Sequence, residues 1–188
     1  MKNVLIIGAN GFTGRRLLND LSIHNRYCVT GCSLHPDILP ASGDAGNYHF
    51  IETDIRDEAA LKGLFKGVRP EVVVNCSALS VPDYCETHRE EAYLTNVTAV
   101  EQLARLCEEY KSRFIHLSTD FVFDGKMKEN AGLLYTEEDT PAPVNYYGWT
   151  KWKSEEKVAE ICCNYAIVRV EIVYGKALPG QHGNIVQL

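Results

Sequence analysis

Apolar positions along this chain fall into two alternating patterns. Continuous apolar runs rich in β-branched residues occur at 3–7 (Asn3-Val4-Leu5-Ile6-Ile7) and at 71–76, which contains Val72-Val73-Val74-Asn75-Cys76. Such runs suit strands buried on both faces of a sheet. Further strand-like runs stand at 27–32, 49–53, 113–118 and 165–170. Between them the apolar spacing becomes helical, near 13–23, 57–66, 87–110 and 148–162. Asp57 is placed to cap the second of these helices, with Leu61, Leu64 and Phe65 as its apolar stripe. Strands and helices that alternate along the chain in this way predict an α/β fold built on a doubly wound parallel sheet.

Sheets of that kind bind ligands outside the carboxyl ends of their strands. The chemically distinctive residues fall at those ends. Gly8 follows the first strand, Ser33 the second, Asp54 the third, Ser77-Ala78 the fourth and Thr119 the fifth. One crevice would therefore collect them.

The first of these turns reads Gly8-Ala9-Asn10-Gly11-Phe12-Thr13-Gly14 and leads straight into a helical pattern. Gly8 permits a tight turn, Gly11 lets backbone approach a pyrophosphate, and Gly14 lets helix and strand pack closely. The helix N-terminus then offers unpaired N–H groups and a positive dipole end to phosphate. The spacing is G-x-x-G-x-x-G, so the usual dinucleotide fingerprint is not matched letter for letter. The strand before it and the helix after it favour a dinucleotide site over a plain glycine turn.

Downstream, Tyr147 and Lys151 stand four apart in a helical segment, which puts them on one face a turn from each other. A neighbouring ammonium would lower the phenol pKa towards working pH. Thr119 could hold a substrate oxygen while Tyr147 exchanges a proton with it.

Composition narrows the classes. The chain has 188 residues, 45% of them hydrophobic and 23% charged, as expected of a globular domain. Its net charge is −6 with no basic stripe, which argues against nucleic acid as a partner. Nothing reads as a membrane span or signal peptide, so a cytoplasmic location is expected. Seven cysteines include no C-x-x-C pair, and buried reduced thiols are expected rather than disulfides. No spacing of the six histidines suggests a metal site.

Taken together, these motifs resemble the extended short-chain dehydrogenase/reductases, and within them the dTDP-4-dehydrorhamnose reductase family. The resemblance rests on the glycine turn, Thr53-Asp54-Ile55-Arg56-Asp57, Asn75-Cys76-Ser77-Ala78 and Leu117-Ser118-Thr119-Asp120-Phe121-Val122-Phe123-Asp124-Gly125. It ends with Pro141-Ala142-Pro143-Val144-Asn145-Tyr146-Tyr147-Gly148-Trp149-Thr150-Lys151. It implies hydride transfer from NADPH or NADH to a keto group on a sugar-nucleotide substrate. By residue, it makes Tyr147 the proton donor, Lys151 its partner and a ribose ligand, and Thr119 the group that orients the carbonyl. Asp120 would lie near the sugar. Gly8, Asn10, Gly11, Phe12, Thr13, Gly14 and Ser33 would hold the cofactor, with Asp54 and Ile55 at the adenine and Ser77, Ala78 and Leu79 beyond the fourth strand. A homodimer is left open. Residues 1–175 would form the cofactor-binding Rossmann domain. Residues 176–188 would begin a C-terminal substrate domain that is largely missing, so a fragment is expected.

Three departures qualify the resemblance. Leu79-Ser80-Val81-Pro82-Asp83-Tyr84-Cys85-Glu86 differs from the pattern expected of the rhamnose enzymes, which leaves the sugar open. No acid ends the second strand at Cys32-Ser33-Leu34-His35, which leaves room for a 2′-phosphate that Arg15 or Arg16 could face. The chain also stops where the family continues. Phe121 stands where dehydratases carry a proton-transferring Glu, and this argues for reduction over dehydration. An epimerase, or a non-catalytic subunit resembling the methionine adenosyltransferase β subunit, are the alternatives. The resemblance also implies that Asn96, where the wider superfamily often has an asparagine, supports the catalytic lysine. Bland readings stay beside the functional ones: Asp54 and Thr119 as caps, Asp120 as a turn residue, and Asn96 as a helix asparagine that satisfies backbone.

Overall fold

The N-terminal apolar run becomes β1 (Lys2–Ile7), and its side chains divide between two cores. Val4 and Ile6 pack with Ala9, Leu18 and Val29, whereas Leu5 and Ile7 pack with Leu61, Phe65, Val73, Leu103 and Phe114. Alternate residues of a strand face opposite sides, so a strand covered on both sides must be apolar throughout. The structure is a computed structural model that describes residues 1–38, 48–126, 134–177 and 181.

Five further strands join β1: β2 (Tyr27–Ser33), β3 (Tyr48–Glu52), β4 (Val72–Asn75), β5 (Arg113–Thr119) and β6 (Tyr165–Val170). Their order is β3-β2-β1-β4-β5-β6, and every neighbouring pair is parallel. This is the doubly wound α/β sheet the periodicity predicts. Helix α1 (Phe12–Ser22) packs on the Val4–Ile6 side; α2 (Glu58–Val68), α5 (Ala99–Tyr110) and α6 (Tyr146–Ile161) pack on the other. The chain direction across the sheet reverses between β1 and β4, which opens a crevice at their carboxyl ends.

Asp57 caps α2 as its sequence suggests, accepting from Ala59 N and Ala60 N at 2.9 and 3.0 Å. The helix expected over 87–110 runs without a break from Arg89 to Tyr110, as α4 (Arg89–Tyr93), a π-helical turn at Leu94–Thr98, and α5, and a short helix α3 (Pro82–Thr87) precedes it across His88. Apolar spacing runs through this segment without a breaker, so periodicity alone reads as one helix. The π turn coincides with Asn96, which is 1% exposed and bonded to groups outside its own helix.

All seven cysteines are free, with Cys32, Cys85, Cys107 and Cys162 buried and Cys163 exposed. No described helix is long and apolar enough to cross a membrane. Most of the segment 176–188, expected to begin a substrate domain, lies outside the described residues.

Candidate active site

The crevice between β1 and β4 begins at the glycine turn. Gly8 has φ +75°, and a Cβ there would lie 2.8 Å from Ser77 N, so both backbone conformation and space demand glycine. A Cβ on Gly14 would run into the carbonyl of Gly8, which is the close helix–strand approach the spacing implies. Gly14 therefore serves packing and is buried in α1. The N-terminus of α1 has no side-chain cap and no acid in its first turn. Among the described residues no side chain caps its leading N–H groups, and Gly11, Phe12 and Thr13 line the adjoining space.

That space is a trough of about 780 Å³. Asn10, Gly11, Phe12, Thr13, Ser33, Ser77 and Ala78 line one part of it, and Thr119, Asp120, Tyr147 and Lys151 also line it. A smaller pocket of about 220 Å³ shares Ser33, Ser77 and Ala78 and is lined also by Gly8, Asp54, Ile55 and Leu79. The structure thus brings every sequence-predicted site residue except Gly14 to two spaces that share lining residues. Asp54 does not cap α2. Its carboxylate holds Arg56 through three side-chain contacts of 2.8–3.1 Å, and that cation keeps it below the usual carboxylate range.

Tyr147 stands on the first turn of α6, where Asn145 caps by accepting from Gly148 N at 2.7 Å. A Cβ on Gly148 would strike the carbonyl of Phe121, so glycine lets α6 press against the turn after β5. That turn, a 3₁₀ segment over Asp120–Val122, is capped by Thr119 Oγ1, which accepts from Phe121 N at 3.2 Å. Thr119 Oγ1 also donates to Asp120 Oδ1 at 3.0 Å. The capping and site-directed readings of Thr119 are therefore compatible: the cap aims the hydroxyl. The rings of Phe121 and Tyr147 meet edge to face at 5.9 Å.

Lys151 is 2% exposed and donates to Leu117 O at 2.7 Å. Its electrostatic role differs from the sequence expectation. Burial pushes the Tyr147 phenol up to about 12, with a hydrogen bond from Thr119 opposing it, and Lys151 is not among the groups that act on it. Burial in turn lowers Lys151 to about 8. The lysine is turned towards a strand carbonyl and pays the desolvation itself. At neutral pH the phenol keeps its proton.

Arg15 also departs from expectation. It is 1% exposed, pairs with Asp37, and donates to Asn10 Oδ1 at 2.8 Å and to Tyr48 Oη at 3.3 Å. A guanidinium so engaged is not available to face a phosphate in the trough. An acid does follow β2, at Asp37 rather than at the strand end, and Tyr48 Oη donates to it at 2.7 Å. Arg16 is exposed.

The partners of two further residues that shape the site could not be read from the sequence. Asn96 accepts from Leu79 N at 2.8 Å and donates to Leu79 O and Thr150 Oγ1, both at 3.0 Å. It ties the loop after β4 to α6, and none of these bonds reaches Lys151. Glu86 accepts from Tyr146 N at 2.6 Å, which anchors α3 to the start of α6. The divergent segment after β4 thus stands beside the Tyr147 helix.

Comparisons with known proteins follow the same lines. The family described as RmlD substrate binding domain matches residues 1–188. Methionine adenosyltransferase 2 subunit beta of Danio rerio is 33% identical over 175 residues, covering 93% of this chain and 49% of that protein. The solved dTDP-4-dehydrorhamnose reductase of Bacillus anthracis in complex with NADP is 27% identical with a TM-score of 0.76, covering 99% of this chain and 58% of that one. UDP-glucose 4-epimerase of Thermotoga maritima with UDP-glucose is 26% identical with a TM-score of 0.80, covering 98% and 60%. The chain spans about half the length of the curated relatives it matches.

Proposed function

The chain belongs to the RmlD substrate binding domain family, and from that premise we propose that it is an NAD(P)H-dependent reductase of a 4-keto deoxy-sugar nucleotide, with Tyr147 as proton donor. The observation that carries this reading is the pairing of a protonated, partly buried Tyr147 phenol with the Thr119 hydroxyl in a trough that also reaches the uncapped N-terminus of α1. The trough suits a dinucleotide: Gly11 and the first residues of α1 line it where a pyrophosphate would sit, and the smaller pocket with Asp54 and Ile55 suits the adenine. A bound nicotinamide would supply the hydride.

The protein's own part is positional and electrostatic. Negative charge develops on the carbonyl oxygen during reduction, and donors aimed at that oxygen stabilise it most there. Tyr147 gives its proton to the oxygen, and Thr119, by turning its single hydroxyl proton from Asp120, donates to the same oxygen. Asp120, bonded to Thr119, orients the hydroxyl and faces the sugar. Lys151 supplies a charged or neutral amine below the trough according to pH. Phe121 has no proton to transfer, which favours simple reduction over dehydration. A cytosolic location, a substrate-binding portion starting near residue 176, and a homodimer belong to the same proposal.

A second reading has a specific observation behind it: the 33% identity to a methionine adenosyltransferase regulatory subunit. On that reading the trough binds a nucleotide but turns nothing over. An epimerase is the third reading, supported by the fold likeness alone. Titrating the protein with NADPH and then adding 4-keto deoxy-sugar nucleotides while following NADPH absorbance separates them. Consumption of NADPH supports the reductase. Binding without consumption, together with capture of a methionine adenosyltransferase catalytic subunit, supports the second reading and overturns the first.

A further inference from the structure

Behind Lys151, on the side away from the trough, lies a buried polar chain that the reaction above does not use. Asn75 and His116 are both 0% exposed. Asn75 ends β4 and His116 lies at the middle of β5, paired with it in register. Asn75 Oδ1 accepts from Ser77 N at 3.0 Å and from Ser77 Oγ at 2.6 Å. A backbone N–H can only donate, so the carboxamide oxygen must face Ser77 and its NH₂ must face the other way. That NH₂ meets His116 Nδ1 at 3.1 Å. Nδ1 is therefore the acceptor, and the proton of the neutral imidazole sits on Nε2.

Nε2 has two neighbours. Ser154 Oγ lies at 3.0 Å and already donates to Lys151 O at 2.6 Å, so it can accept from Nε2–H. Lys151 Nζ lies at 3.2 Å. An ammonium has only donors to offer, so it meets Nε2–H donor to donor; a neutral amine has a lone pair and meets it well. A second proton on the imidazole would go to Nδ1, leave Nε2–H in place and add a second positive charge beside Lys151; full burial and the Lys151 charge both hold its pKa well below the usual value.

We propose that Ser77, Asn75 and His116 form a positioning relay that locks the His116 tautomer and so biases Lys151 towards its neutral form, coupling the cofactor-side loop after β4 to the charge of the lysine. His116 acts through Lys151 and is a positioning residue. The titratable groups around Lys151 are His116 from β5, in contact at 3.2 Å, with Cys76 beyond β4 and Glu155 one turn on along α6, both of which favour its charged form. Glu155 is itself committed to Arg169 of β6 at 2.7 Å. It favours the charged lysine, and the imidazole N–H opposes it. A ligand that moves Ser77 would release the carboxamide, free the tautomer and let Lys151 charge.

The functional consequence rests on Lys151 working as the reductase reading has it, but the test reads the two side chains themselves. Nitrogen-15 spectra of histidine-labelled protein report which ring nitrogen of His116 carries the proton. Unprotonated Nδ1 with protonated Nε2 is expected, and the opposite tautomer overturns the relay. Titration of carbon-13-labelled lysine Cε, with the Lys151 signal assigned from Lys151→Arg, gives the lysine midpoint. In His116→Gln the carboxamide oxygen can accept from the ammonium. The midpoint should rise by about one unit, a tenfold gain in proton affinity. An unmoved midpoint means His116 merely fills space. If His116→Gln fails to fold, the tautomer in the unaltered protein still decides. Absence of turnover with any sugar nucleotide would overturn the reductase reading and leave both spectra unchanged.

Discussion

Replacing Lys151 by Met should make the protein more stable at neutral pH and remove a pH dependence. The lysine is 2% exposed, and burial lowers it from 10.5 to about 8. At ~1.4 kcal/mol per pKa unit, holding it charged in the fold costs ~3 kcal/mol. Methionine matches its length and carries no charge. Its introduction forfeits the bond to Leu117 O, worth ~1 kcal/mol. The net expectation at pH 6.5 is a gain of ~2 kcal/mol.

Below pH 8 both the folded and the unfolded chain carry the proton, so the folded chain bears the full cost of the buried charge. Between about 8 and 10.5 the unfolded chain binds the proton and the folded chain does not. Stability of the unaltered protein therefore rises with pH across that window. By pH 9.5 it recovers ~2 kcal/mol, and the advantage of the variant disappears. Urea denaturation of both proteins at pH 6.5 and 9.5 measures this directly. A difference between them that is the same at both pH values would refute the reasoning, because it would mean Lys151 titrates as an exposed lysine does. A stabilising loss of a site residue is the expected mark of a group retained for function.

Three other outcomes are expected. Tyr147→Phe should lower NADPH-dependent turnover about a thousandfold and leave NADPH affinity within about twofold, since only the proton donor is lost; stopped-flow absorbance and a fluorescence titration check the two halves. Asn96→Ala leaves the Leu79 N–H, the Leu79 carbonyl and the Thr150 hydroxyl without this partner, and urea denaturation should show a loss of ~2–4 kcal/mol. Gly148→Ala drives a methyl into the Phe121 carbonyl and should cost ~1–3 kcal/mol, with a fall in Tm of several degrees and weaker turnover as Tyr147 shifts.

Residues whose role follows from local pattern were legible in the sequence. The two-faced burial of β1 shows in Val4-Leu5-Ile6-Ile7, the α2 cap shows in Asp57, and Gly8 and Gly14 show in their spacing. Residues whose role depends on what lies across a gap were not. Nothing local marks Arg15 as the partner of Asp37, because they meet only when α1 packs against the segment after β2. Asn96 stood out only through the family resemblance, as a support for Lys151, and its bonds go elsewhere. Its partners, Leu79 and Thr150, are brought to it by packing, and the π turn coincides with that arrangement.

The Tyr147–Lys151 pair divides the same way. Four-residue spacing on a helix is enough to place both side chains on one face, since helix geometry is periodic and local. It cannot set their ionisation, which depends on solvent exclusion and on neighbours from other strands. Only the tertiary structure buries the phenol beside Thr119, turns the lysine to Leu117, and backs it with His116 and Asn75 from two adjacent strands. Chain periodicity by itself determined the sheet and the end of it where the site lies. Which of these groups carries a proton at neutral pH was decided by burial, because desolvation acts through the whole surrounding volume and has no counterpart in a run of letters.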